Sequence, residues 1–253
     1  MDAKEIRLSI QGIHKVFASR KDDVTVIDDV SFDVCDNEFL VLLGPGHCGK
    51  TVLLNIIAGL EPATDGRIFL DGSIVSGVDS RIGMVFQKLA LLPWQTVMEN
   101  VAFPLKLAGE RRSVYRNKAQ HYIDLVKLTG SEKSYPYQLS GGMKQRVGIA
   151  RAFCADPEIL IMDEPFGQLD AQTRYAMQEE IGRIWLEDKR TIIYVTNNIE
   201  EALLLGDRIV LLGKRPAKVK EIYEVNLPRP RNMIQSDFLE LRQKISDNTD
   251  LAI

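Results

Sequence analysis

The sequence predicts an α/β fold: a mainly parallel sheet, an antiparallel β part before it and a helical segment inserted into it. Three observations predict this. Phe39-Leu40-Val41-Leu42-Leu43 is apolar at every position, as a strand covered on both faces must be, and it feeds a glycine-rich loop and then a helix. From Glu158 onward, strand and helix patterns alternate. Between these stretches, from Pro93 to about Ala155, the pattern is helical. The 253 residues fit one large domain. Its expected parts are 1–92 with 156–225 as the α/β core, 93–155 as a helical subdomain and 226–253 as a tail.

The elements follow in order. Ile6 to Ile10 and Val30 to Val34 alternate apolar and polar residues, as half-buried strands do. The helix after the loop is expected from Thr51 to Ala58, with Gly59 ending it. Arg67 to Leu70 and Ser73 to Val75 flank Asp71-Gly72, a strong hairpin signal. Arg81 to Phe86 reads as another strand. Ser113 is the expected cap of a helix to Leu128 with Val114, Ala119, Ile123 and Val126 on its apolar face. Then come a strand from Glu158 to Met162, a helix from Gln172 to Glu187, a strand from Thr191 to Val195, a helix from Ile199 to Leu205 and a strand from Asp207 to Leu212. Phe238, Leu239 and Leu241 predict a short terminal helix packed on the domain.

Composition narrows the partners. Hydrophobic residues make up 45% and charged residues 26%, which suits a globular protein. A net charge of −3 offers no general attraction to nucleic acid or anionic lipid. Cys35, Cys48 and Cys154 are scattered and odd in number, which favours a reducing compartment. No apolar run approaches the roughly 20 residues a membrane helix needs, and Met1-Asp2-Ala3-Lys4-Glu5 does not read as a signal peptide. A membrane role is therefore expected only through another subunit.

Gly44-Pro45-Gly46-His47-Cys48-Gly49-Lys50-Thr51 has the spacing of a phosphate loop, set between an apolar strand and a helix. Backbone N–H groups at the helix start would hold phosphates, Lys50 would reach the β/γ oxygens, and Thr51 would ligate Mg²⁺. The alternative is a plain glycine turn. Asp163-Glu164 ends a buried strand; Asp163 suits the Mg²⁺ shell and Glu164 a general base toward water. Ser140-Gly141-Gly142 opens a further helix and makes a second anion site. One nucleotide hardly fills both, so a head-to-tail dimer is expected, each Ser140 closing on the nucleotide held by the other copy's Lys50. An ordinary serine N-cap is the alternative there.

Together with Leu139-Ser140-Gly141-Gly142-Met143-Lys144-Gln145-Arg146 and Ile159-Leu160-Ile161-Met162-Asp163-Glu164-Pro165, these motifs identify a chain that resembles the nucleotide-binding subunit of ATP-binding cassette transporters over nearly its whole length. The resemblance implies a P-loop NTPase core with an N-terminal antiparallel β subdomain and an inserted helical signature subdomain. It implies ATP and Mg²⁺ as cofactors, with Gln87 touching Mg²⁺ and the water, and Phe17 stacking on adenine. A plain core role is the alternative for Phe17. Asp170, in Phe166-Gly167-Gln168-Leu169-Asp170, matches the loop that meets the opposite subunit. Implied partners are a second copy or a similar ATPase subunit, integral membrane permease subunits and, indirectly, an extracytoplasmic solute-binding protein. The implied location is the cytoplasmic face of the membrane.

Leu91-Leu92-Pro93-Trp94, Val97-Met98-Glu99-Asn100-Val101 and the tail Val225-Asn226-Leu227-Pro228-Arg229-Pro230-Arg231 look like importers of nitrate, sulfonate, taurine and related solutes. In that subgroup the surface around Gln87 to Val101 receives a short helix of the membrane subunit; filling of the subdomain's own core is the alternative. No chemistry is legible in the tail beyond Pro228. A soluble cassette ATPase acting on DNA or ribosomes is disfavoured by the single cassette, the missing coiled-coil insert and the acidic balance.

Three residues depart from the pattern. Asn197 stands where the family carries a histidine that bonds the γ-phosphate, followed by Asn198 in place of aspartate. Asparagine donates a hydrogen bond but cannot become cationic. His47 stands where the family has glycine, a point at which positive φ is expected. Two readings follow: an ATPase subunit energising import, or a nucleotide-gated regulatory subunit that closes on ATP but hydrolyses it slowly. Cys48, near a helix start, is either an activated thiol or inert packing.

Overall fold

The structure, a computed structural model, describes residues 5–18, 22–87, 89–167 and 169–251. In chain order its elements are β1 (Ile6–Phe17), β2 (Val24–Cys35), β3 (Phe39–Leu43), α1 (Lys50–Ile57), β4 (Asp65–Leu70), β5 (Ser73–Ile74), β6 (Ile82–Val85) and α2 (Val97–Leu107). There follow α3 (Arg112–Leu125), a 3₁₀ turn (Pro136–Gln138), α4 (Gly141–Cys154), β7 (Ile159–Asp163), α5 (Ala171–Glu187), β8 (Thr191–Thr196), α6 (Ile199–Leu205), β9 (Arg208–Leu212), β10 (Val219–Glu224) and α7 (Ser236–Asn248). They form two compact units: Met1–Asp79 with Arg190–Ile253, and Ser80–Lys189.

The first unit holds two sheets. β1 pairs with β2 and β4, and β4 with β5, all antiparallel. Asp71 and Gly72, both at positive φ, turn the β4–β5 hairpin as expected. In the second sheet β3 lies parallel to both β8 and β9, and β10 closes on β9 antiparallel. Every residue of β3 and β8 is buried, which is why these strands lack a polar face in sequence. Each buried Leu or Ile contributes roughly 1.5–3 kcal/mol. α1 ends as Gly59 predicts: its left-handed backbone lets Gly59 N–H reach Ile56 O and Leu60 N–H reach Asn55 O. β10 carries no clean alternation and was not expected.

In the second unit β6 and β7 pair in parallel. α2 opens on a capping box, with Thr96 Oγ1 accepting from Glu99 N–H and Glu99 Oε2 accepting from Thr96 N–H. α5 buries Met177, Ile181, Ile184 and Trp185, a stripe at helical spacing. α3 corrects three expectations. Its cap is Arg111 in extended geometry, so Ser113 lies inside the first turn, and Val114 points to solvent while Ala119 and Ile123 are buried. The helix also stops at Leu125, because Lys127 adopts positive φ and its N–H bonds Asp124 O while Leu128 N–H bonds Ile123 O. That stop is normally marked by glycine; a lysine there gives no sequence warning. In α7 Phe238 is buried as expected, but Leu239 is exposed. Met1 to Lys4, Lys88 and Gln168 lie outside the described residues. Among the described residues no helix is long and apolar enough to cross a membrane.

Candidate nucleotide site

The first unit supplies the phosphate loop. Residues 44–49 connect β3 to α1, and Gly49 is the N-cap of α1 at φ +121°, a conformation closed to side chains. α1 starts without a side-chain cap and without an acidic residue in its first turn, which leaves its dipole and N-terminal N–H groups suited to an anion. Gly46 meets no atom within 4 Å where a Cβ would stand. Its bareness serves no packing need and keeps space for a close ligand. Lys50 is only 4% exposed, and its Nζ donates to Gly44 O at 2.9 Å and Pro45 O at 2.8 Å. The ammonium is thereby held against the loop, while Thr51 is exposed.

His47 takes φ +62°, as expected for a glycine position. Left-handed backbone costs a non-glycine residue roughly 1–2 kcal/mol, least for His, Asn and Asp. We therefore expect urea-unfolding stability to rank His47→Gly at or above the parent and His47→Val lowest, with a spread of about 2 kcal/mol. Equal midpoints for all three would show that the loop does not hold this strain. Cys48 is 1% exposed; burial removes the activated-thiol reading and leaves packing.

Asn197 is exposed between β8 and α6. The structure brings it beside the loop, because Gly44 N–H bonds the carbonyl of the preceding Thr196. Asn198 caps α6: its Oδ1 accepts from Glu201 N–H at 2.8 Å. Asparagine caps as well as aspartate, so this second departure is structurally silent. Thr196 Oγ1 accepts from Asn198 N–H and donates to Glu201, fixing the turn. Phe17, at the end of β1, is 38% exposed with the Lys15 ammonium 4.7 Å from its ring centre. At that exposure the core alternative for Phe17 does not hold.

The other end of α6 was invisible in sequence. Arg231 Nη1 donates to Leu203 O and Gly206 O, both at 2.6 Å, while its Nη2 and Nε donate to Val225 O and Leu227 O. Arg229 donates to Leu204 O, Leu205 O and Asp207. Leu203, Leu204 and Leu205 carry the carbonyls that the C-terminus of α6 leaves unpaired, and two cations suit that end of the dipole. Burial, then the adjacent Arg229, pulls the Arg231 pKa down to about 10, so it stays charged at neutral pH. The tail segment is a clamp on the helix that carries Asn198.

The second unit supplies the acids. Asp163 ends β7 and is 6% exposed; Glu164 follows, partly exposed, at φ +41°. A non-glycine residue held there stores strain of order 1 kcal/mol or more, a common feature of functional positions. Gly167 N–H closes the turn onto Glu164 O. Gln87 lies two residues beyond β6, and a Cβ on Gly167 would stand 3.7 Å from Gln87 Nε2, so its side chain lies against the turn that carries Glu164. Arg151, on α4, donates to Leu89 O and Ala90 O and so fixes the chain just after Gln87.

Ser140 is exposed and caps α4, its Oγ accepting from Met143 N–H at 3.3 Å. The cap uses a lone pair, so the hydroxyl proton stays available to an anion. A Cβ on Gly141 would make only ordinary contact with Leu169 at 4.0 Å, whereas one on Gly142 would press on Thr173 at 2.9 Å. Gln145, buried on the same helix, donates to Pro165 O. This bond ties the signature helix to the acids, a role its place in the octapeptide does not reveal. Asp170 caps α5, and the Thr173 N–H holds its carboxyl below the usual range.

An apolar groove of about 350 Å³ lies in the same unit, lined by Phe86, Leu89, Leu92, Phe103, Pro104 and Leu107. Asn100 shapes its rim: its side chain exchanges hydrogen bonds with Leu92 and donates to Gln95 O and Thr96 O. Trp94 is 70% exposed, outside any core.

The family described as ABC transporter matches residues 27–167. An uncharacterised ABC transporter ATP-binding protein of Methanocaldococcus jannaschii is 46% identical over 96% of this chain and 91% of its own length. An aliphatic sulfonates import ATP-binding protein of Bacillus cereus is 42% identical, covering 94% of each chain. A taurine import ATP-binding protein of Jannaschia is 44% identical over 87% of this chain and 81% of its own length. The dimeric structure of a bacterial ABC transporter cassette superposes with a TM-score of 0.76 at 28% identity, covering 87% of this chain and 99% of that one. The same cassette in a post-hydrolysis state bound to ADP and Pi matches equally. By these matches the chain belongs to the ATP-binding subunits of ABC transporters.

Proposed function

We propose that this chain is the ATP-hydrolysing subunit of an importer for a small solute of the nitrate, sulfonate or taurine kind, working as a head-to-tail pair on separate membrane subunits. The observation that carries the reading is Lys50, held against a loop whose Gly46 leaves ligand space at the uncapped start of α1. Lys50 and the α1 N–H groups bind phosphate oxygens. Ser140, exposed at the start of α4, offers its proton to the γ-phosphate held by the other copy. Glu164 takes a proton from the attacking water and Gln87 orients that water.

Thr51, Gln87 and Asp163 offer hard oxygen donors, the set that suits Mg²⁺. A Mg²⁺ ion of this kind takes a few protein oxygens and completes its shell with substrate phosphates and water. When bound, the ion neutralises charge developing on the phosphates.

The apolar groove suits a short cytoplasmic helix of the permease. Co-purification of the chain with an integral membrane protein, and ATPase activity stimulated by solute on the opposite membrane face, is the expected result. A chain that purifies with nucleic acid or ribosomes instead would remove the reading.

Asn197 favours a second reading, a subunit that closes on ATP and hydrolyses it slowly. Loss of one transition-state contact costs about 10²–10³ in rate. The Asn197→His variant is therefore expected to raise steady-state ATPase of the assembled complex at least tenfold. A variant no faster than the parent, or a parent already at ordinary turnover, leaves the first reading alone.

A further inference from the structure

The helical unit carries a second concave site, far in sequence from the phosphate loop. A cleft of about 600 Å³ opens between α2, the first turns of α3 and the segment around Glu132. That volume lies in the range of small-molecule sites. Four cations line it, Lys106, Arg112, Arg116 and Lys133, against two carboxylates, Glu99 and Glu132. In a chain whose net charge is −3, this is a local positive surplus.

The two carboxylates are already committed elsewhere. Glu99 Oε2 accepts from Thr96 N–H and Thr96 Oγ1 in the capping box. Glu132 Oε1 accepts from Gly130 N–H and Gln120 Nε2. Those bonds hold both groups below the usual carboxylate range, so both stay ionised and turned to their own backbone. They reach Lys106 and Lys133 only through space. Among the described residues, neither the Arg112 nor the Arg116 side chain makes a hydrogen bond or an ion pair. They stand at i and i+4 on α3, a spacing at which like charges repel by a few tenths of a kcal/mol. A solvated face usually relieves such a pair with an intervening acid; here the half-buried Tyr115 lies between them in the lining.

We infer that this cleft binds a small organic oxyanion, a sulfonate or a phosphomonoester, with Arg112 and Arg116 forking its oxygens and Lys106 and Lys133 closing the charge. Guanidinium pairs match tetrahedral oxyanions by parallel N–H donors. The cleft is larger than a bare inorganic ion fills, which leaves room for the organic part. The inference stands on the cleft alone, so it survives even if the importer reading fails.

The test is calorimetric titration of the purified full chain, with its phosphate loop saturated by Mg-ADP. The probes are propanesulfonate, glycerol 3-phosphate and inorganic sulfate. At least one organic oxyanion is expected to bind with Kd below about 1 mM, tighter than sulfate. The Arg112→Ala/Arg116→Ala variant, whose side chains are exposed, should keep the parent's Tm and ADP affinity but lose at least tenfold in oxyanion affinity. Preference for the sulfonate would point to the solute of the importer reading as the source; preference for the phosphomonoester would point to a cytosolic metabolite. Either supports the site. The inference is overturned if neither organic probe binds, if sulfate binds as tightly, if the double arginine variant binds like the parent, or if binding vanishes in Lys50→Ala.

Discussion

Replacing Glu164 with glutamine is expected to lower steady-state ATPase of the assembled complex by about 10²–10⁴-fold, the usual contribution of a positioned general base. Glutamine keeps the shape and one acceptor oxygen but cannot take a proton at neutral pH. ATP binding should survive, because Lys50 and the start of α1 are built in a different part of the chain. The variant should therefore accumulate as an ATP-bound dimer, visible as an ATP-dependent shift in gel filtration. The structure adds a reason for the sensitivity of this position. Glu164 sits at φ +41° with Gly167 N–H on its carbonyl, so a strained turn fixes the backbone that carries its carboxylate. Gln145 holds the next residue, Pro165, from α4. A Glu164→Gln complex that turns over at the parental rate would mean another group activates the water.

The Arg231→Ala variant is expected to lose about 3 kcal/mol of stability, since it strips partners from four carbonyls at once. For a chain of this size that is a fall in Tm of roughly 6–12 °C. Arg231→Lys should recover less than half, because one ammonium cannot span acceptors that a planar fork reaches together. Amide exchange in 199–206 should quicken while exchange in β3 and β8 stays slow. A seven-residue helix has little stability of its own; it is held by Asn198 at one end and by Arg229 and Arg231 at the other. Loosening it loosens the turn that presents Asn197. An unchanged Tm would show that water replaces the guanidinium at these carbonyls.

What was legible in advance followed local rules. β3 announced itself by an unbroken apolar run, α1 by its flanking glycines, and the Asp71-Gly72 hairpin by its turn residues. The phosphate loop, the signature octapeptide and the strand-end acids were readable because each chemistry needs particular residue types at short spacing. Errors came where backbone geometry departed from residue preference. Lys127 makes a stop that glycine usually makes, α3 starts from Arg111 without a side-chain cap, and Val114 and Leu239 face outward.

The sequence by itself determined the family and the fold class, because the motifs that mark them rest on residues a few positions apart. Only the tertiary structure decided what the tail does, how Gln87 and Glu164 are aimed, and that Asn198 still caps while His47 bears left-handed strain. The physical reason is range. The clamp joins residues 22 to 28 apart, and the arginine that steadies the Gln87 segment stands 61 and 62 residues from its acceptors. A carbonyl acceptor looks the same at every position in a sequence; which one an arginine finds is settled only when the chain has folded.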